Sequence, residues 1–535
     1  MVVLIAACDD GTGPSLSSLS LNSSTVTFSS FGETTQLKIS AQTIDGSPFN
    51  NPAILWSSED PQIATVSKSG LITSIKNGST TVVARSGALV AKASVVVLQK
   101  PTVITLSATR IRFGSIGDTA QLYASAQDEL GNTVTDPVLS WLSSDLSIAT
   151  VSESGLITTN NLGNVYISVL TDTISAKASI TVSHWEKLTA GYKMTCGIRT
   201  SGELYCLGNN DYGQLGDGSS EYRGSPTPIG TEHDWNSIGS MVNHNCAILA
   251  SQIGMCWGNN EYGQLGDGSS EHRTVPTPIG TQTVLDKVVG GFQHSCAITS
   301  SKNIKCWGRN QFGQLGIGNH TNQSKPIEIN SEQTWTSITA GSYHSCATTI
   351  SNQAYCWGLN QFGQLGDGTI KNKDSFVQVS EEILWTFITA GLYHSCGINQ
   401  SAEAFCWGLN DKNQLGSNRG QSQWPYPDKV QTDNQWVSIS AGRSHSCGLT
   451  KSGKGLCWGN NEYGQLGDGT NISRGFPTPI FGSYTWKNIE AGVHHTCGVT
   501  TSGSGYCWGN NQDGQMGVSA ELEQLEPQKL NISKY

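Results

Sequence analysis

Apolar residues in this chain come in short runs, broken by clusters of Gly, Asn and Ser. Runs of Val, Ile and Thr bounded in that way read as antiparallel strands. Ala93-Ser-Val-Val-Val97 and Ala178-Ser-Ile-Thr-Val182 are of this kind. A second pattern governs residues 335–365. There Trp335 and Ile338 are predicted on opposite faces of one extended segment, which makes both faces apolar. A strand buried on both sides suits a sheet packed between two neighbouring sheets. Ala340-Gly341 lets the next sheet's backbone come close. Residues 345–349 and 354–357 read as a hairpin turning at residues 350–353, and Gly363, Gly366 and Gly368 mark a turn-rich link. A last short strand follows, such as residues 276–279 or 477–480 in sister segments.

The pattern of residues 335–365 occurs seven times between Trp185 and the C-terminus. Its ruler is a set of cysteine pairs: Cys196 and Cys206, Cys246 and Cys256, Cys296 and Cys306, Cys346 and Cys356, Cys396 and Cys406, Cys447 and Cys457, Cys497 and Cys507. Each pair is ten residues apart, and the pairs recur every 50 residues with one step of 51. Such a period indicates a propeller, a solenoid or an array. Four strands per period, repeated seven times, close a ring. Earlier in the chain, the segment from Ile54 through Trp56, Val66 and Gly70 recurs from Leu139 through Trp141, Val151 and Gly155, at an offset of 85 residues. Six or seven short strands per copy would make each a sandwich. Lys100-Pro101 and Ser183-His184 mark the seams. The fold expected is all-β: residues 1–15 as signal remnant and tether, 16–99 and 100–183 as two sandwiches, and 184–535 as a seven-bladed propeller.

Two resemblances sharpen this. Trp-Gly-x-Asn-x-x-Gly-Gln-Leu-Gly, preceded by Ala-Gly-x-x-His-Ser, resembles the repeat of the regulator of chromosome condensation family, whose fold is a seven-bladed β-propeller. The departures are local: Met194 and Leu207 in blade one, Ser240-Met241 in blade two, Leu285 for Trp in blade three, and Asn413 for Gly in blade five. The resemblance implies a ring closed by a blade built from both chain ends, with Trp185 near Leu530. Trp-Ser-Ser, Ala-Thr-Val-Ser and Ser-Gly-Leu-Ile-Thr, in that order, resemble the group 2 bacterial immunoglobulin-like family of surface proteins. That family typically holds another domain away from a membrane or wall. Neither sandwich contains cysteine, so Trp56 and Trp141 are expected to pack its core without a disulfide.

Within a hairpin centred between them, residues ten apart face each other on the same side of the sheet, a spacing that accepts a disulfide. Each link would stabilise by about 2–3 kcal/mol through loop closure. Reduced thiols packed as small hydrophobes are the alternative; zinc is weaker, since no Cys-x-x-Cys occurs. Seven disulfides would place the propeller outside the cytosol. The fifteenth cysteine, Cys8, ends an apolar run. Ile5-Ala6-Ala7-Cys8 resembles the lipobox of bacterial lipoproteins, implying lipid attachment at Cys8, although the first basic residue is Lys38 and no positive segment precedes the run. The expected location is the extracellular face of a bacterial envelope, lipid-anchored or secreted, with membrane contact through the N-terminal lipid alone.

Composition narrows the function. The net charge is -10, with 9 basic and 13 acidic residues over 1–183 and 22 and 28 over 184–535. Neither part carries a basic stripe, which argues against nucleic acid. His244, His294, His344, His394, His445 and His495 each stand two residues before a cysteine. Ring symmetry spreads such residues around an axis, so each is expected to bridge blades by a hydrogen bond, not to hold a metal. Stretches such as residues 260–268 look like calcium loops but lack alternating carboxylates, so turn chemistry is expected. No His-Glu-x-x-His, Gly-x-Ser-x-Gly or phosphate loop occurs. No catalytic residue, metal or cofactor is therefore assigned, and the protein is expected not to be an enzyme.

Segments that differ between blades are the binding candidates. They carry Tyr222 and Arg223, His272 and Arg273, residues 319–325 and 371–373, Trp424 and Tyr426, and Arg474 and Phe476. Trp424 and Tyr426, flanked by Pro425 and Pro427 in the one longer repeat, rank first. The function expected is a monomeric, non-enzymatic binding or adhesion protein that presents its propeller to a protein or glycan. The alternatives are a small-GTPase exchange factor, as the nuclear members of the family imply, and a propeller lyase or hydrolase.

Overall fold

The computed structural model describes residues 16–232, 234–240, 242–280, 284–417, 420–517 and 523–532. Residues 1–8, with the lipobox-like run and Cys8, lie outside these. The elements described are all strands, and the chain divides into two compact units.

In the first unit, each sandwich has nine strands instead of the six or seven expected, because turns cut the longer runs. Copy one pairs Leu16–Leu21 with Ile39–Thr43. Its four-stranded sheet orders Thr25–Phe28, Leu89–Val97, Gly78–Ser86 and Leu55–Ser58, and its three-stranded sheet orders Thr34–Gln36, Leu71–Ser74 and Ala64–Val66. Copy two repeats this order from Val103–Leu106 to Ser175–Val182. One pairing corrects the antiparallel expectation: Thr25–Phe28 runs parallel to Leu89–Val97. Phe28, Leu37, Ile72, Val82 and Val95 fill the core of copy one.

Trp56 and Trp141 are half-buried, not enclosed. Their indoles lie over Gly70 and Gly155, where a Cβ would come within 2.6 and 2.9 Å of Cζ2. Both glycines also hold positive φ (84° and 83°), so only glycine serves there. The tryptophan and glycine motifs of the repeat are thus one contact. Between the copies, the buried Asp128 accepts from Phe31 N (3.1 Å) and Gln99 Nε2 (2.9 Å), while Asn132 Nδ2 donates to Phe31 O (2.8 Å).

The second unit holds seven four-stranded sheets. Blade four is Trp335–Ala340, His344–Thr349, Ala354–Gly358 and Lys373–Gln378, in that order. Successive first strands touch each other and so form the inner wall. The chain leaves the first strand and re-enters the second on one face. The hairpin turn and the link to the next blade lie on the other.

Two expectations need correction. Trp335 and Ile338 share one apolar cluster, because a bulge between Trp335 and Ser337 shifts the register by one residue and reverses the parity. Thr336, the bulged residue, is exposed. Every blade has this bulge. Second, no blade is shared between the chain ends. Blade one is Trp185–Ala190, Met194–Arg199, Leu204–Gly208 and Arg223–Pro228, and blade seven runs from Trp486–Ala491 to Glu523–Lys529. Each repeat begins on its innermost strand and the last supplies its own outer strand, so none is left to exchange. The ends do meet: Trp185 Nε1 donates to Leu530 O (3.3 Å) and Val493 N to Gly191 O (3.1 Å).

The fourth strands start earlier than expected, at Arg273 and Arg474. Being outermost, they tolerate prolines such as Pro276, Pro278, Pro425 and Pro427, which withhold donors and blunt the edge.

The cysteine pairs are disulfides, so the alternative of reduced, packed thiols falls away. Cys196 is bonded to Cys206, Cys246 to Cys256, Cys296 to Cys306 and Cys346 to Cys356. Cys396 is bonded to Cys406, Cys447 to Cys457 and Cys497 to Cys507. In each blade the two residues are directly opposed on the second and third strands. Their Cα atoms lie 4.1 Å apart in all seven.

Candidate partner-binding face

The histidines hold neighbouring blades together. His344 Nε2 lies 2.8 Å from Ser395 Oγ of the next blade, and that hydroxyl donates its one proton to Gln364 O (2.9 Å). The histidine must therefore donate, which fixes the Nε2–H tautomer. His244, His294, His394, His445 and His495 repeat the contact with Ser295, Ser345, Ser446, Thr496 and Thr195. At the seventh junction, where Met194 replaces histidine, Asn245 Nδ2 donates to Gln214 O (2.7 Å). Complete burial pushes His344 down to about 3 and His244 to about 4, so all stay neutral.

The calcium-like stretches are turns. Asn260 Nδ2 donates to Ser269 O (3.2 Å) and Glu271 O (3.0 Å), while its Oδ1 accepts from Leu265 N (2.9 Å). Asp267 accepts from Ser269 N and, through its other oxygen, from Arg273 Nε (2.8 Å). Burial opposes the charge on Asp267, but bonds from Ser269 and Arg273 outweigh it and hold the carboxyl below its usual range.

The same pairing accounts for three of the binding candidates. Arg223, Arg273 and Arg474 occupy one register position and pair with Asp217, Asp267 and Asp468 at 2.6–2.7 Å. They are repeated parts of the scaffold. Trp424 and Tyr426 lie not in a loop but on the strand Gln423–Lys429. Trp424 packs on the core of blade five, and Tyr426 is exposed with its ring over Gly368 of the preceding blade. Phe476 takes the matching exposed place on blade six, and Tyr222 stands over Gly514 at the ring closure. The structure thus spreads these candidates around the rim.

It gathers another set at the axis, on the face of the Ala-Gly turns. Val242, Leu392 and Val493, from blades two, five and seven, form an apolar plug with Tyr192, Phe292 and Tyr393 packed against it. Around the plug, aromatic rings bridge adjacent blades. Phe312 meets Tyr343 at 5.2 Å, Phe362 meets Tyr393 at 5.5 Å, and Tyr463 meets His494 at 5.1 Å between centroids. The Arg309 guanidinium lies over Tyr262 (4.9 Å) and Tyr343 (5.7 Å). Burial, with Arg443 and Lys193 nearby, pushes His494 down to about 4, so neutral His494 accepts from Arg443 (3.2 Å). Lys412 and Asp513 replace the aromatic residue in blades five and seven, which makes the collar asymmetric.

The collar escaped the sequence reading because it occupies the variable positions inside the repeat motif, after Ala-Gly and before Gly-Gln. The available signal was that the position before Gly-Gln is aromatic in five of the seven blades (Tyr212, Tyr262, Phe312, Phe362 and Tyr463), while the two positions after Ala-Gly vary from blade to blade.

Comparison with known proteins fits this architecture. Residues 280–535 match the RCC1-like domain, and residues 185–214, 201–248 and 256–298 match regulator of chromosome condensation (RCC1) repeats. Residues 20–97 match the bacterial Ig-like domain, group 2. The structure of human WBSCR16 is similar over 62% of this chain and 94% of that one, at 18% identity and a TM-score of 0.57. That of Prp20p from Saccharomyces cerevisiae, described with its binding to Gsp1p and histones, is similar over 65% of this chain and 87% of that one, at 19% identity and a TM-score of 0.56. The human probable E3 ubiquitin-protein ligase HERC4 is 44% identical over 46 residues, which is 9% of this chain and 4% of that protein. The chain belongs to the RCC1-repeat family, with its seven-bladed propeller preceded by a group 2 bacterial immunoglobulin-like domain.

Proposed function

We propose that this is an extracytoplasmic binding protein whose propeller takes a protein partner on the axial face. The carrying observation is the collar around Arg309, Tyr343 and Tyr393. Aromatic residues and arginine supply most of the energy in protein interfaces, and here a ring of blades, each braced by its own disulfide, presents them, so little entropy is lost on binding. The two sandwiches serve as a spacer. Export is supported by a disulfide in every blade, and lipid attachment at Cys8 would tether the chain. These disulfides and the net charge of -10 weigh against a nuclear-type exchange role. The repetition of nearly every buried polar residue weighs against a single catalytic centre.

The test uses the full chain immobilised against envelope extracts, compared with the double variant Arg309→Ala with Tyr343→Ala. A protein retained by the wild type and lost by the variant, with an unchanged Tm, supports the reading. Equal retention by both contradicts it.

A further inference from the structure

On the opposite face, that of the hairpin turns, a cavity of about 600 Å³ opens between blades two and three. Its walls are apolar: Ile253, Met255, Ile279, Val284, Leu285 and Trp307. The repeat explains why space exists here. At the next junction, Trp335 packs against Tyr355 (5.7 Å) and Phe376 (5.9 Å), those two lie 5.7 Å apart, and Ile304 closes the cluster from the preceding blade. One repeat earlier, 50 residues back, the same four positions hold Leu285, Lys305, Pro326 and Gly254. All four line the cavity, and each is smaller or less aromatic than its counterpart. The other six first strands each begin with a buried tryptophan: Trp185, Trp235, Trp335, Trp385, Trp436 and Trp486. Proline is the usual residue at the Phe376 position, so what sets blade three apart is Leu285 in place of tryptophan and Lys305 in place of an apolar or aromatic residue, while its strands keep the register of blade four.

We propose that this cavity binds a small planar aromatic molecule of indole size. The volume lies within the range of small-ligand sites. The intact Trp307 ring forms one wall and offers a face or edge for stacking. Leu285 and Ile279 supply apolar contact, and Lys305, within 4.0 Å of Glu328, places a polar group at the margin. The ligand takes the place of the first-strand tryptophan ring that the other six blades supply from their own side chains. This site is separate from the axial collar and does not depend on it.

The experiment titrates indole into the full-length protein by isothermal titration calorimetry. Saturation of one site is expected. Leu285→Trp restores the missing side chain and is expected to weaken indole binding at least tenfold while raising Tm. The double variant Arg309→Ala with Tyr343→Ala is expected to bind indole as the wild type does. Should the tryptophan variant lose the native circular dichroism, Leu285→Phe takes its place, with the same direction expected. Absence of saturable binding to the wild type, or wild-type affinity in a folded filled variant, overturns the proposal.

Discussion

His344 donates its Nε2–H hydrogen bond to Ser395 Oγ and is shut off from water, so a charge on its ring would be buried without solvation. Its folded pKa, about 3, lies below the unfolded value of about 6.5. Between these values the unfolded chain binds more protons, so stability is complete above pH 6.5 and is lost as pH falls toward 3. Each such histidine contributes a slope of up to about 1.4 kcal/mol per pH unit. Denaturant midpoints measured from pH 8 to pH 4 should be level at first and then drop steeply below about 6; a level curve to pH 4 would contradict the buried, neutral assignment. Trp424 and Tyr426 divide in the same way. Trp424→Ala, which removes a ring packed on the blade-five core, should lower stability by about 2–3 kcal/mol. Tyr426→Ala at the exposed rim should change it by less than about 0.5 kcal/mol. Chemical denaturation of both variants checks this. The histidine role was legible because repetition rules out a single shared site. The difference between Trp424 and Tyr426 was not, because both lie on one strand and only packing separates them.

At the scale of the element, the hairpin of His344–Thr349 and Ala354–Gly358 was legible from cysteine spacing alone, since ten residues bring Cys346 opposite Cys356. Removing that link by Cys346→Ala with Cys356→Ala should cost about 2–3 kcal/mol by loop closure, read as a shift in denaturant midpoint at unchanged slope. A change within error would mean the hairpin is already ordered in the unfolded chain. The first strand was less legible. Trp335 and Ile338 are an odd number apart, so alternation puts them on opposite faces; the bulge at Thr336 puts them on one. Nothing local in Trp-Thr-Ser-Ile announces a bulge. It is imposed by the need to bury both side chains in the same inter-blade core.

For the whole molecule, the number of blades followed from the period, but the manner of closure did not. Every blade is complete, so the ring depends on side-by-side contacts: Trp185 with Leu530, His495 with Thr195, and Gly191 with Val493. A chain ending at residue 522, which removes the strand Glu523–Lys529, should lose the cooperative unfolding of the propeller. A two-state transition at the wild-type midpoint would show that closure carries no stability. The axial collar is likewise a property of the assembled blades, since Tyr262, Arg309 and Tyr343 come from three successive blades and meet only when these pack side by side. Its part in binding is tested most directly by a photo-crosslinking residue in place of Gln311, beside the collar, and in a second protein in place of Ser351, on the hairpin-turn face. Both proteins would be irradiated in producing cells. A covalent adduct of defined mass from position 311 and none from position 351 is the expected result; an adduct from position 351 alone would contradict binding on the axial face.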